Sequence, residues 1–365
     1  MAGITGGLGG GLSATGGGAG TGSLGGSAGS HPTGTAGGPG SGGGGGACSS
    51  STSCGQGFSC VNAGCVANRF TGSPCVATDT YSEFVFGHGV DGAVHQRAYL
   101  SGSWQPWTSL NIDTAAIDPN SSLDCSGNGN IIQLVAVTSN PAGEILQTSG
   151  SGDQFSEFTH VLGTEAFSPL AASIAAWPSG DDYMLGAFDT GPVLWTVEGQ
   201  TFTPVGQISG QVNSFNSAIH VGIQLQNPAQ IRLVVGYETS GQLGIYANAL
   251  VGQQQHWEAP IYLSPPAGTF AYAPAICVNE WASANYTIHV VGSTSNGQIW
   301  DTYTPQLEST PFSGWEEVGS GAASAVDCTL MSDGTVRIVA LDSQGHVLDL
   351  SGSPGSWTKT DLGVF

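Results

Sequence analysis

The chain has 365 residues, 59 of them Gly, and sets five Lys and Arg against 26 Asp and Glu, for a formal net charge of −21. That charge repels phosphate backbones and anionic bilayers, which argues against nucleic acid and acidic membrane surfaces as partners. No run of 18 apolar residues occurs, so no segment reads as a membrane-spanning helix.

Residues 1–47 contain 23 Gly. Such a segment buries too little apolar surface to offset its backbone entropy, and it reads as a flexible tail or linker. Self-assembly between copies through this tail is a second expectation. The start, Met1-Ala2-Gly3-Ile4-Thr5, has neither a charged nor an apolar leader region. Eight Cys and near-absence of Lys nevertheless fit an oxidising, extracellular or cell-surface setting. The expectation is a secreted protein whose signal segment has been removed, with Met1 an expression start.

Residues 48–72 carry Cys48, Cys54, Cys60 and Cys65. A segment this short has no core of its own, so cross-links must hold it. Three pairings exist. The interleaved one, Cys48–Cys60 with Cys54–Cys65, is favoured, and a zinc site is the rival, weakened by the lack of a C-x2-C knuckle.

Residues 73–365 repeat one pattern six times: an apolar strand, a polar turn with Gly, a second strand, and an aromatic that opens a third. The glycines are Gly92, Gly143, Gly191, Gly241, Gly297 and Gly345, and the aromatics are Trp104, Phe155, Phe202, Trp257, Trp315 and Trp357. With a short strand ahead of each unit, this predicts four antiparallel strands per unit. The fold class is therefore all-β: a six-bladed β-propeller, with seven blades the lesser alternative. No convincing helical period runs over ten residues, so helix should be nearly absent. Each blade is contiguous in sequence, so the strand exchange that usually closes such a ring is missing, and another contact must join blade six to blade one.

Cys75, Cys125, Cys277 and Cys328 occupy one place in the innermost strands of blades one, two, five and six, where blades three and four have Ile174 and Val221. Pairing between neighbours predicts Cys75–Cys125 and Cys277–Cys328, provided the inner strands approach within about 7 Å. Four buried thiols are the alternative. A Cys75–Cys328 bridge would close the ring but leave Cys125 and Cys277 on opposite sides.

Blade one contains Gly102-Ser103-Trp104-Gln105-Pro106-Trp107-Thr108-Ser109-Leu110 and Asp91-Gly92-Ala93-Val94-His95. These segments resemble one repeat of the bacterial fucose-binding propeller lectins, in the sialidase-like superfamily. Blades five and six resemble it in part, through Asn296-Gly297-Gln298-Ile299-Trp300 with Trp315, and Gly345-His346-Val347-Leu348 with Trp357. The Gly-rich leader with its Cys module resembles myxobacterial surface proteins. The resemblance implies a propeller and a glycan or cell-surface polysaccharide as partner.

Aromatics that recur in every blade suit packing of one blade on the next. The sugar-binding candidates are therefore the unaligned ones: Trp107, Trp177, Trp195, Tyr246, Trp281 and Trp300. A pyranose stacks its C–H face on such rings. No catalytic residue is assigned. Arg97, Arg232 and Arg337 fall outside any motif, the acids sit mainly in turns, and no cofactor or metal is expected. A non-catalytic glycan-binding propeller is the leading expectation. A structural or adhesive protein, such as a filament subunit assembling through residues 1–47, is the second, and a glycoside hydrolase the third.

Overall fold

The computed structural model describes residues 48–365 apart from 52–53, 55, 116, 119–120, 139–143, 162–170, 176–181, 188–192, 199–200, 208–219, 228–229, 240–241, 252–253, 258–260, 265–269, 273, 279–286, 305–310 and 332. The Gly-rich segment 1–47, Trp177 and Trp281 lie outside the described residues. By contacts the chain divides into residues 1–44 and Gly45–Phe365. The described residues all belong to the second unit.

A small hairpin, Phe58–Val61 with Gly64–Ala67, comes first. Disulfides Cys48–Cys60 and Cys54–Cys65 staple it. The zinc alternative fails here, because the thiols it needs are bonded to each other. Six antiparallel sheets follow, each built from consecutive strands. In blade one these are Phe70–Thr78, Glu83–Gly89, Val94–Leu100 and an outer strand split into Ser103–Trp104 and Thr108–Ser109. Blade six has Asp327–Leu330, Val336–Leu341, Val347–Ser353 and Ser356–Gly363. The innermost strand of each blade touches those of both neighbours, including blade six against blade one, so the ring is closed. Among the described residues there is no α-helix. The chain is a six-bladed β-propeller. The first inner strand begins at Phe70, which is buried in the seam with blade six.

The second strands read as unbroken apolar runs because both their faces are buried. Phe84 and Phe86 join the core between blades one and two, while Val85 between them turns to blade six. In blade six, Ile338 and Ala340 face blade five, and Val339 and Leu341 face blade one. Where the outer-strand aromatics are described, they pack against the preceding blade. Phe155 meets Phe86 edge-on at 5.7 Å. Trp315 packs with Ile261 and Leu263 of blade four and donates its indole N–H to Ser264 O at 2.8 Å.

Disulfides Cys75–Cys125 and Cys277–Cys328 cross the seams one–two and five–six, with Cα atoms 5.8 and 5.6 Å apart. The proximity condition is thus met at both seams. Among the described hairpin glycines Gly92, Gly297 and Gly345, it is Gly345 whose place is dictated by blade one. Its φ is +81°, and a Cβ there would lie 2.7 Å from Phe70 O and 2.8 Å from Arg69 Cβ. Phe70 N in turn donates to Gly345 O at 3.0 Å.

Candidate functional site at the seam of blades six and one

The missing strand exchange is replaced by a seam of side chains. Its apolar part is Phe70, Val76, Val85, Val339, Leu341, Val347 and Leu362, with Trp104, Trp107 and Phe365 packed on it. Its polar part starts at the inner strands, where Val76 N donates to Asp327 Oδ2 at 2.7 Å. Farther out, Trp107 Nε1 donates to Leu362 O at 3.1 Å, and Arg97 donates to Gln105 O and to Leu362 O. Asn68 Nδ2 reaches Phe365 O at 2.7 Å.

Arg337 lies at the centre of this seam, 6 % exposed. Its Nη1 donates to Asp349 Oδ2 at 2.6 Å, and its Nε is ion-paired with Glu83 of blade one. The guanidinium sits 5.0 Å over the Tyr99 ring and 4.9 Å over Trp104, both from blade one. Trp104 Nε1 also donates to Asp349 Oδ2 at 3.1 Å. A guanidinium suits this place, since it stacks on rings and still presents N–H groups in its plane. Burial pushes the Glu83 carboxyl above the usual carboxylate range, against the pull of Arg337. Asp349 is raised for the same reason, with Arg337 and Trp104 acting in the opposite direction. Two carboxylates therefore share one cation, and Asp349 Oδ1 is buried with no hydrogen-bond partner.

Above this cluster opens a cavity of about 500 Å³, lined by Thr78, Asp79, Thr80, Tyr81, Ser82, Glu83, Tyr99, Ser101, Gly102 and Met331. All but Met331 come from blade one. The 79–82 turn forms one wall, shaped by Asp79 Oδ1, which accepts from Tyr81 N and Ser82 N at 2.7 and 2.6 Å. Ser101 and Gly102, with φ of +52° and +82°, make the tight turn at the lip. Two successive residues at positive φ are what a two-residue hairpin of matching twist requires. Tyr81 stands 84 % exposed beside the opening. The chemical capacity of the site is clear from its lining: one buried carboxylate, several hydroxyls and two phenol rings.

Of the aromatics singled out from sequence, Trp107 lies on Phe70 with ring centroids 4.6 Å apart and spends its N–H on Leu362. Trp300 packs with Phe270, Ile276, Ile288 and Val290 between blades four and five. Neither lines the cavity. Trp195 lies on the Val193–Glu198 strand opposite Met184, and Tyr246 on Gln242–Val251 opposite Val235, with their side chains outside the described residues. The cavity is built instead from Tyr81, Glu83 and Tyr99, which sequence reasoning passed over. A usable signal existed in Arg337: a lone Arg inside a buried apolar strand requires carboxylate partners.

No family model matches the chain, and no curated protein does. Solved structures do match. The SapL1 lectin, solved with α-methyl fucoside, aligns with a TM-score of 0.61 at 11 % identity over 81 % of this chain and 97 % of its own. AofleA from Arthrobotrys oligospora aligns at 0.60 and 11 %, covering 83 % and 92 %. A lectin of Aleuria aurantia, described as a six-bladed propeller, aligns at 0.58 and 11 %, covering 80 % and 96 %. At such identities the likeness is one of fold.

Proposed function

We propose that this chain is a non-catalytic carbohydrate-binding propeller, acting outside the cell on a glycan or a cell-surface polysaccharide. The observation that carries this reading is the cavity at the seam of blades six and one. Tyr99 and Tyr81 offer rings for the C–H face of a pyranose, and Glu83, Ser82, Thr78 and Thr80 offer partners for its hydroxyls. About 500 Å³ accommodates one or two sugar rings. The neighbouring structures whose names mention fucose make sugars the first ligands to try. The four disulfides support an oxidising location.

Binding without turnover is favoured by the acids present. A glycosidase places two carboxylates about the scissile bond. Here Glu83 Oε2 is tied to Arg337, Asp349 does not line the cavity, and Asp79 is spent on its own turn. The test is a glycan array probed with the full chain, followed by Tyr81→Ala. Signal on a defined glycan set that Tyr81→Ala weakens, with melting temperature unchanged, is the expected result. A silent array across neutral, amino and acidic sugars overturns the reading.

A further inference from the structure

We propose that the cavity at the seam of blades six and one selects sugars that carry a free amino group, such as the 2-amino-2-deoxy pyranoses, over neutral and acidic ones. This rests on the carbohydrate reading above and goes beyond it. Charge accounting around the cavity is the first argument. Among the described residues the lining contains Asp79 and Glu83 and no Lys, Arg or His. The nearest cation, Arg337, lies behind the wall and is already divided between Glu83 and Asp349. One buried guanidinium against two buried carboxylates leaves one negative charge uncompensated beside the cavity. Within that cluster Asp349 Oδ1 is buried with no hydrogen-bond partner.

The second argument is ring geometry. Tyr81 at the opening presents an exposed phenol ring, which attracts a cation as well as a C–H face, while the Tyr99 ring in the wall already carries Arg337. An ammonium brings three donors, enough to meet Glu83 and the hydroxyls of Ser82 and Thr80 together. A hydroxyl in its place leaves the charge deficit as it was. A carboxylate sugar adds to it at close range, where like charges cost most. The net charge of −21 over the chain adds a field of the same sign.

Calorimetric titration of the full chain at neutral pH decides the matter, using glucosamine, glucose, glucuronate and ethanolamine as probes. The expected result is glucosamine binding at least about tenfold tighter than glucose, from a charge-assisted contact in place of a neutral one. Glucuronate should not bind, and the glucosamine affinity should fall with added salt. Glu83→Gln should erase both the preference and the salt dependence. Should that variant fail to fold, Asp79→Asn keeps the turn acceptor, removes the other charge and should reduce the preference. Glucose binding as tightly as glucosamine overturns this inference and leaves the carbohydrate reading standing. Ethanolamine matching glucosamine overturns the carbohydrate reading and leaves an amine site. No heat from any probe overturns this inference, and the carbohydrate reading then stands or falls on the glycan array.

Discussion

Replacing Arg337 by Met tests whether the seam of blades six and one is held as described. Met preserves much of the stem volume and removes the cation. In the native chain two buried carboxylates face one guanidinium. In the variant they face none, so one more carboxylate must sit uncompensated or take up a proton. Protonation sets a ceiling on the cost. At 1.36 kcal/mol per pH unit, protonating a Glu of ordinary pKa costs about 3.7 kcal/mol at pH 7 and about 1 kcal/mol at pH 5. That ceiling falls inside the roughly 3–5 kcal/mol seen when one partner of a buried pair is removed. The sign follows from the direction of the shifts. Glu83 and Asp349 are already raised by burial, and loss of Arg337 raises them further. The folded state then holds more protons than the unfolded one, so stability is full below the ordinary carboxylate pKa and is lost as pH rises through the folded value. Urea unfolding followed by Trp fluorescence, with disulfides intact, should show a deficit of about 4 kcal/mol at pH 7 that shrinks to about 1 at pH 5. The triple variant Arg337→Met, Glu83→Gln, Asp349→Asn should recover most of it. A pH 7 deficit below about 1 kcal/mol, one unchanged at pH 5, or a triple variant no better than the single, refutes the account.

Three other outcomes are expected. Replacing Cys75 and Cys125 together by Ser should cost about 4 kcal/mol in the loop-entropy treatment of a bridge 50 residues apart, read as a lower urea midpoint; an unchanged midpoint would show that the bridge does not constrain the unfolded chain. Gly345→Ala should destabilise clearly more than Gly92→Ala. Both have φ near +80°, worth about 1–2 kcal/mol, but only at Gly345 does the new Cβ meet backbone, at Phe70 O; equal losses would refute a seam contact at that turn. Burial works against ionisation of Asp91, but hydrogen bonds from His95 Nε2 and Ala93 N outweigh it and hold the carboxyl below its usual range. Asp91→Asn should therefore lose about 0.5 kcal/mol at neutral pH, a gap that closes as pH falls through the lowered value, and a gap that widens in acid would contradict the pairing.

How much of this was legible in the chain differs between the repeats and the site. The flanking strands of the six units follow from local alternation, and so do the turns at Gly92, Gly297 and Gly345, while Gly143, Gly191 and Gly241 lie outside the described residues. Repeat equivalence pointed to the pairing Cys75–Cys125 but left four thiols open, and the approach of the inner strands to 5.8 Å between Cα atoms decided it. The assignment of Trp104 to packing was sound as far as it went, since its indole N–H reaches Asp349 of the preceding blade. What repeat logic could not supply is the content of one particular seam. Arg337, Glu83, Tyr99 and Met331 are not repeated elsewhere at their positions, and nothing local distinguishes them. Trp104 and Asp349 are 245 residues apart in the sequence.

The sequence by itself therefore determined the number of blades and the order of strands in each, and narrowed the cross-links to equivalent places. These depend on period and on chemistry within about fifty residues. Only the tertiary structure decided how the ring closes and where its cavity lies. Closure brings the last blade against the first, and the charge left over at that junction is a property of two distant segments in contact, which no local pattern encodes.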